Sequence, residues 1–538
     1  MNVLWSGPRA WRAGLFAVAT AGALLLTGCA GAAPSASAPS SADAGPPVRG
    51  GTLTVAVPTD PQSLDMVANP GQVTAHIGNL LYEKLFEVDK AFTARPMLVD
   101  TYEMSDDRLT YTFKLRAGVT FHDGGALTAA DVVASLQRWL KTHLTGQQVN
   151  ADVKSLAADG DTTVKLELKK PRYPLIDELA SPGAEIYAAK NLQGVPPTGF
   201  LKEAAVGTGP YKLKTWDIGR EIVLERFDGY KSRAEEDWGG QAGAKHTYLD
   251  AITYKVVADQ DALINGLQTG QWQHAMPSDD QYVALKNNPA VVVSHLAGAN
   301  QNVIIPNFNK GSKFTDPRAR QALNLLMDKR AINAATGGGP DLSVEVGAMV
   351  SQDNKALYSS VGEDVYKQHD PAKAKELFAQ AGINAGDTVH IVTTNSYPQF
   401  SQWAVLLQDQ LSKIGIKTKI DTFDFPTMLG TLTKDPAGWD ITTLFFNAAL
   451  TSPSQMPAVT LGGLNGSSSP ELAKLVEEYN GVTSPEAAKA VMDKLQGYVW
   501  QQFPVITLSQ SRLYAAYSPK LKGYDTFYRV FWNSWLQK

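Results

Sequence analysis

The segment that constrains the fold most is residues 389–446, where the spacing of apolar residues switches repeatedly between two periods. It opens with VHIVTT, which alternates like a β-strand, and continues into a stretch in which Phe400, Trp403 and Leu407 recur at helical spacing. The strand-like IKTKID, a second helix-like stretch and the strand-like WDITTLFF then follow. This alternation predicts an α/β domain with a largely parallel sheet, on which ligands sit at the carboxyl ends of the strands.

The rest of the chain predicts further strands and helices around this unit. GTLTVAV after residue 50, LTYTFKL after residue 108 and PVITLSQSRLYAAY after residue 503 alternate like strands, and the last is placed to return to the first domain. Thr128 is spaced to cap a helix with Asp131, and Asp-Pro pairs at Asp316 and Asp370 predict two more helix starts. At 538 residues the chain is long enough for several domains.

The charge balance bears on the kind of partner. Lysine and arginine total 49 and aspartate and glutamate total 53, which gives a formal net charge of -4. Neutralising the phosphates of nucleic acid, or an anionic membrane surface, requires a basic excess that this chain lacks. The composition therefore argues against nucleic acid as a partner.

The amino terminus has the pattern of a secretory signal. Arg9 and Arg12 supply positive charge, and residues 13–26 form a charge-free apolar stretch that is shorter than the ~20 apolar residues of a membrane span. Cys29, the only cysteine, follows closely after a small residue suited to cleavage. Residues 30–48 are rich in Ala, Ser, Pro and Gly and predict a flexible tether.

The sequence contains none of the usual motifs of a catalytic or metal site, such as HExxH, GxSxG, a phosphate-binding P-loop or a Cys/His cluster. His122 and Asp123 in FHDG have the chemistry of an acid/base pair, but the Asp-Gly step favours a turn. The GTGP segment that ends at Pro210 lacks the lysine of a phosphate loop, and the proline removes an amide donor. We therefore predict a protein that is not an enzyme and has no cofactor and no metal site.

Six stretches carry a resemblance to one protein family. They read GGTLTVAVPTDPQSLD, YTFKLRAGVTFHDGGALTAADVVAS, GTGPYKLKTW, FTDPRARQALNLLMDKRAI, HDPAKAKELFAQAG and LQDQLSKIGIKTKI. In these stretches the chain is similar to the extracellular solute-binding proteins of family 5, the peptide/nickel-binding receptors of ABC importers. The similarity covers essentially the whole chain after the tether.

By this resemblance the fold is α/β and periplasmic-binding-protein-like, of the type II, large three-domain class, with two lobes around a ligand cleft. The implied domain I is assembled from residues 50–77, 205–305 and 505–538, domain II spans residues 78–204, and domain III spans residues 306–504. The family's mechanism is hinge closure over a solute followed by docking to the permease. Closure of this kind is driven by tighter binding to the closed state.

The segment Leu26-Thr27-Gly28-Cys29 resembles the lipobox of bacterial lipoproteins. The resemblance implies that residues 1–28 are removed as a signal peptide, that Cys29 carries the lipid and that residues 29–49 form the tether. The implied location is the outer face of the cytoplasmic membrane, on the periplasmic side of the cell envelope. The implied partners are a small-molecule ligand and the membrane subunits of an ABC permease. The membrane is contacted through the lipid anchor only, and we expect a monomer.

The resemblance also indicates where the ligand lies. Peptide-binding members hold the peptide amino group with an Asp at the position of Ala449, and dipeptide-binding members hold the carboxylate with an Arg at the position of Thr394. Neither charge is present in this sequence. Burying an unpaired ammonium or carboxylate is costly, which argues against a free dipeptide held in that way.

The side chains around these two positions are aromatic or carry amides, which favours a neutral or less charged ligand. The predicted ligand-binding residues are Asn69, His143, Gln147, Thr394, Asn395, Tyr397, Phe446, Asn447, Ala449 and Thr451. Strand alternation requires at least one of Phe445 and Phe446 to pack in the core, and His143 is expected to be a surface histidine unless the ligand is a nickel complex.

The predicted function is therefore an importer receptor for a peptide, a peptide-like molecule or another small polar organic solute. A nickel or other metal chelate and a sugar- or opine-like solute are alternative ligands. An enzyme on the same scaffold and a sensory or chaperone-like surface protein are the alternatives of a different class.

Overall fold

The structure of the protein is a computed structural model that describes residues 45–68, 71–196, 205–236, 238–336, 339–448, 452–526 and 530–538, except for the side chains of 297–299 and 340. Residues 44–538 form one compact unit. The predicted signal peptide, nearly all of the tether, and the residues Cys29, Asn69, Ala449 and Thr451 lie outside the described residues. Among the described helices, none is long and apolar enough to cross a membrane.

The elements alternate along the chain. The strands are β1 Thr52–Val57, β2 Phe86–Val88, β3 Ala94–Pro96, β4 Val99–Met104, β5 Thr110–Leu115, β6 Val153–Asp159, β7 Thr163–Leu168, β8 Tyr211–Asp217, β9 Glu221–Arg226, β10 Ala251–Val256, β11 His274–Ala275, β12 Val292–Pro306, β13 Ser343–Val344, β14 Thr388–Thr394, β15 Lys417–Phe423, β16 Ile441–Asn447, β17 Ile506–Tyr517, β18 Leu521–Lys522 and β19 Trp535–Leu536. The helices are α1 Gln72–Leu81, α2 Ala129–Thr142, α3 Leu144–Asp152, α4 Leu175–Leu179, α5 Ala189–Leu192, α6 Gln260–Gln268, α7 Tyr282–Lys286, α8 Pro317–Leu326, α9 Lys329–Ala335, α10 Gly339–Leu342, α11 Glu363–Tyr366, α12 Pro371–Gln380, α13 Pro398–Lys413, α14 Phe425–Lys434, α15 Pro457–Thr460, α16 Gly462–Asn465, α17 Pro470–Asn480 and α18 Pro485–Gln502. Two 3₁₀ turns lie at Asp279–Gln281 and Pro453–Gln455.

The strand-helix-strand unit predicted for residues 389–446 is confirmed. β14 runs parallel to both β15 and β16, and α13 buries Phe400, Trp403 and Leu407 as the helical spacing predicts. The expected parallel order holds within this unit. The complete sheet is mixed, because β16 pairs antiparallel with β12 on its other edge.

One long sheet runs through the described residues in the order β15-β14-β16-β12-β17-β11-β1-β10-β9-β8, with β13 beside β17. β1 is parallel to β10 and β11, and β17 is antiparallel to both β11 and β12. β12 therefore runs in the same direction as β1 and opposite to β16. As a result, the carboxyl ends of β1, β10 and β11 point toward those of β14 and β16 along the shared strands β12 and β17.

Buried apolar side chains form separate clusters at the two ends of these shared strands. The largest cluster lies within residues 303–508 and includes Val303 and Ile506, while Tyr514 belongs to another cluster, together with Ala56 of β1. The pairing of β12 with β17 is irregular between His295 and Ala299, and again just before Val303. A sheet is most easily bent where its ladder is interrupted, so these irregularities are the places where the shared strands bend most easily between the clusters at their ends.

Another core lies within residues 85–188, and it packs over the separate four-stranded sheet β4-β5-β7-β6. Helix α2 packs on this core, and its predicted capping box is confirmed, since the Thr128 side chain and the Asp131 amide and carboxylate bond reciprocally. The predicted caps at Asp316 and Asp370 also accept amide hydrogen bonds in the first turns of α8 and α12. On α2, both ends of the Arg138 guanidinium bond to the Asp65 carboxylate, at 2.9 and 2.6 Å, which joins this core to the loop after β1.

The FHDG and GTGPY motifs pack against each other. The Gly207 amide donates to Nδ1 of His122 at 3.1 Å, and Nε2 of the same ring lies 3.1 Å from the carbonyl oxygen of Gly209. Burial lowers the pKa of His122 to about 4, so the ring is neutral and both of its nitrogens are used by backbone. The interpretation of FHDG as a turn is confirmed, because His122 and Asp123 lie in one.

Candidate functional site

The candidate site lies where strand carboxyl ends from both lobes face each other across β12 and β17. Ligands of open α/β sheets bind outside the carboxyl ends of the strands, where backbone groups and loop side chains are available. On the larger core's side these ends are Thr394 of β14 and Asn447 of β16. The side chains next to these two residues therefore form the candidate site.

A cluster of aromatic side chains stands at the ends of β14 and β16. Tyr397 is 38% exposed, and its ring centroid lies 5.4 Å from Phe400, 5.6 Å from Phe425 and 5.5 Å from Phe445. Its partners are buried or half-buried and pack around the tyrosine, while the tyrosine itself stays partly exposed. This arrangement offers a rigid ring on which a ligand can stack.

Beside the aromatic cluster, amides and hydroxyls line up across three strands. Asn300 is the register partner of both Asn447 and Ser511, and Asn302 is the register partner of Phe445 and Ser509. The Asn302 amide donates to the hydroxyls of Ser509 at 3.1 Å and Ser511 at 2.6 Å, which shows that these side chains share one face of the sheet. We call this set the polar row: Asn300, Asn302, Asn447, Ser509 and Ser511. Asn447 is exposed, while Asn302 is buried.

The opposite face of the same strands is closed by protein. Gln301 pairs in register with Phe446, and its amide donates to the Thr507 hydroxyl at 2.9 Å. The half-buried rings of Phe445 and Phe446 both pack against the large core, so the strand register alone separates them. The structure therefore places Phe445, and not Phe446, on the face that carries the polar row.

The other predicted residues of this lobe differ in how exposed they are. Asn395 and Tyr397 are exposed beyond the end of β14. Thr394 is fully buried, and its hydroxyl accepts the Ser396 amide at 3.1 Å. Its side chain is therefore engaged in a turn at the end of β14.

The predicted residues that the structure describes in the lobe of residues 85–188 are His143, between α2 and α3, and Gln147, on α3. The Gln147 amide donates to the backbone carbonyls of Lys141 and Thr142, so it caps α2. His143 differs from the expected surface histidine, because it is half-buried, its ring lies against Gly183, and burial lowers its pKa to about 4. Helix α3, which follows His143, lies against the turn Pro453–Gln455 of the other lobe.

Sequence reasoning missed Asn300 and Asn302, although a signal was present. NQNVIIP at the centre of β12 places two asparagines two residues apart, directly before an apolar run. In a strand this spacing puts both amides on one face.

Among the described residues, no cluster of three or more His, Cys, Asp or Glu side chains is placed to hold a metal ion.

Asp177 gives the protein a predicted pH dependence. Burial, and secondarily the neighbouring Glu178, raises the pKa of Asp177 to about 7, while the Ala94 amide acts in the opposite direction. The other ionisable groups that interact with it are Tyr173 and Tyr479. A raised pKa means that the folded chain holds a proton that the unfolded chain releases, so this contribution to stability is lost as the pH rises from about 4 to about 7.

We expect Asp177→Asn to have a higher melting temperature than the natural chain at pH 8, and the two melting temperatures to converge toward pH 4. Thermal unfolding between pH 4 and 8 measures this difference. Asp217→Asn, at a half-exposed carboxylate, is the control and should follow the natural chain. A parallel pH profile for Asp177→Asn and the natural chain contradicts the prediction.

A model of the bacterial extracellular solute-binding proteins, family 5, middle part, matches residues 93–468, well over half of the chain. The protein belongs to this family. The resemblance drawn from the six sequence stretches is thus confirmed, and the protein is a binder of solutes.

Known members of the family are similar along most of this chain. The "probable peptide ABC transporter periplasmic-binding protein y4tO" of Sinorhizobium fredii is 28% identical over 85% of this chain and 88% of its own length. The glutathione-binding protein GsiB of Escherichia coli K12 is 27% identical over 88% and 91%. Among solved structures, DppA from Helicobacter pylori in complex with the peptide STSA has a TM-score of 0.76 at 22% identity, covering 91% of this chain and 99% of that one.

The fold of this family 5 solute-binding protein is therefore the α/β, two-lobed fold of the periplasmic binding proteins, as the resemblance implied. In that fold the cleft between the lobes is the general place for a solute. The aromatic cluster and the polar row lie at strand ends of the lobe that contains the core of residues 303–508.

Proposed function

We propose that the protein is the solute receptor of an ABC importer, and that it captures a peptide or peptide-like solute in the cleft and delivers it to the membrane permease. The observation that carries the proposal is the polar row beside the exposed Tyr397, at the strand ends of the lobe that contains the core of residues 303–508. The similarity to a peptide-binding and a glutathione-binding relative supports the solute class.

The chemistry of these side chains suits uncharged parts of a peptide. Asparagine amides both donate and accept, so they complement the N–H and C=O groups of a peptide backbone. The open Tyr397 ring adds apolar contact. Because the amide and hydroxyl groups are neutral, they do not compensate the buried charge of a terminal ammonium or carboxylate, and we infer a ligand whose charges lie outside the polar row.

Capture follows from the hinge. A solute that contacts the polar row on one lobe and also the other lobe binds the closed form more tightly than the open form, and so shifts the population toward closure. Micromolar affinity corresponds to ~8 kcal/mol, which such a cleft supplies without a covalent step.

The solute itself is identified by native mass spectrometry of the protein purified without denaturation. A peptide or peptide-like mass supports the proposal. A metal chelate or a sugar- or opine-like mass replaces it with one of the alternative ligands. Turnover of the co-purified solute during incubation argues instead for an enzyme on this scaffold.

Once the co-purified solute is known, Tyr397→Ala is expected to weaken its binding at least about tenfold, a change of ~1.4 kcal/mol in binding free energy. Isothermal titration calorimetry measures the effect. Val405→Ala is the control, because Val405 is 55% exposed on α13 of the same lobe and has no part in the cluster. Equal affinities for the two variants contradict the assignment of the site.

For the location, we propose a lipid anchor at Cys29 on the outer face of the cytoplasmic membrane. The lipobox-like Leu26-Thr27-Gly28-Cys29 and the tether composition support it. In cells fed a radiolabelled fatty acid, Cys29→Ala should lose all label, while its cleft binds solute as before. Label retained by Cys29→Ala contradicts the anchor site.

A further inference from the structure

Besides the cleft, the two lobes meet along a second surface that combines polar contacts with an edge-to-face contact of Tyr173 and Tyr479, whose ring centroids lie 5.8 Å apart. On one side stand β4–β5 and residues 170–178, and on the other residues 452–454 and 477–483. The Tyr173 amide donates to the Asn480 carbonyl at 2.8 Å, and Nη2 of Arg108 donates to the Thr483 carbonyl at 2.8 Å. At its edge, Lys170 and Glu477 form an exposed ion pair.

A buried charged pair lies at the centre of this surface. The Arg172 guanidinium donates to both carboxylate oxygens of Glu178, at 2.6 and 2.7 Å, and to the Asp152 carboxylate at 2.7 Å. Glu178 is fully buried and Arg172 is 2% exposed. All three side chains belong to the lobe built on residues 85–188, so that lobe holds the pair in place by itself.

To this buried pair, the lobe that contains residues 452–454 contributes only hydroxyl groups. Ser452 and Ser454, in the turn that follows β16, donate to Oε1 of Glu178 at 3.0 and 2.9 Å. The same oxygen also accepts from Arg172, so its acceptor sites are filled only when the lobes are together. Hydrogen bonds to an ionised acceptor are stronger than those between neutral groups.

The chemistry of this contact suits a surface that forms and separates. When the lobes part, the Arg172–Glu178 pair stays intact and water replaces the two hydroxyls, so the charged centre of the surface separates without losing its ion pair. The strand that leads to Ser452 is β16, whose end carries Asn447 of the polar row. The contact and the candidate solute site are thus on adjoining segments of one lobe.

We propose that Glu178 is a positioning residue for solute binding: held by Arg172, it captures Ser452 and Ser454 as the lobes close and stabilises the closed form with or without solute. This inference rests on the proposed function for its link to solute binding, but not for the closure itself. Glu178 acts through the two serines and is not assigned a contact with the solute.

The test is small-angle X-ray scattering of the full chain without added solute, after the co-purified solute has been removed by partial denaturation and refolding. Ser454→Asp places a second carboxylate against Glu178 and is expected to increase the radius of gyration beyond the spread of repeat measurements. Ser454→Thr, which keeps the hydroxyl, should match the natural chain. Ser412→Asp is the control, at an exposed serine on α13 of the same lobe.

A radius of gyration for Ser454→Asp that equals those of the natural chain and of Ser412→Asp overturns the proposal. A lower melting temperature without a change in radius also overturns it, because that outcome describes a static packing contact. The solute then tests the link: we expect Ser454→Asp to bind the co-purified solute about tenfold more weakly. If the radius responds while no solute of any class binds the natural chain, the closing contact stands and the proposed function fails.

Discussion

Arg138→Met is expected to destabilise the protein by about 3–5 kcal/mol, because it removes the guanidinium from a carboxylate that stays buried. The Asp65 side chain is 0% exposed and that of Arg138 is 7% exposed. The pair joins α2 to the loop after β1, so its loss also loosens the junction between two cores. Chemical denaturation followed by circular dichroism measures the loss of free energy of unfolding.

Two further variants make this prediction specific. Asp65→Asn combined with Arg138→Met removes the buried charge together with its partner, so the double variant should recover part of the lost stability. Arg318→Met breaks an ion pair with Asp316 in which the Arg318 side chain is 51% exposed. This variant should lose less than about 1 kcal/mol of the free energy of unfolding. Equal losses for Arg138→Met and Arg318→Met contradict the prediction.

Gly207→Ala is expected to have the second large effect, a loss of at least ~3 kcal/mol or of soluble protein altogether. A Cβ at this position would lie 2.0 Å from the Leu81 carbonyl oxygen, and that oxygen belongs to backbone that cannot move aside alone. The shift would also pull the Gly207 amide away from His122. Soluble yield and melting temperature measure the outcome.

Gly430→Ala is the matched control for this substitution. Gly430 lies inside α14, and a Cβ there would meet no atom within 4 Å. Alanine is the better helix former, so this variant should gain about 0.5–1 kcal/mol of stability. If both alanines are tolerated alike, close packing is not the reason for glycine at position 207.

The parts of the fold that local patterns encode were predictable. The strand-helix-strand unit follows from apolar spacing within residues 389–446, and the start of α2 follows from the side-chain chemistry of Thr128 and Asp131. The FHDG turn is local for the same reason. In each case the residues that interact are near one another in the sequence, and spacing alone identifies them.

The parts that depend on distant pairing were not predictable. Ser454 meets Glu178 across 276 positions of sequence, and no local pattern of either segment specifies the other. Asn302 faces Ser509 across 207 positions. Thr394 was predicted to line the site only from the resemblance, at the position of the Arg in dipeptide-binding members, and the fold buries it at the end of β14.

The position of β17 has a consequence for how the protein is made. This strand, Ile506–Tyr517, is nearly the last in the chain, yet it lies between β12 and β11 near the middle of the long sheet. The inner edges of both halves of that sheet, β12 and β11, therefore stay unpaired until residues 506–517 have been synthesised. Pairings so distant in sequence form slowly. Joining the two halves through β17 is thus expected to be a late and slow step in folding.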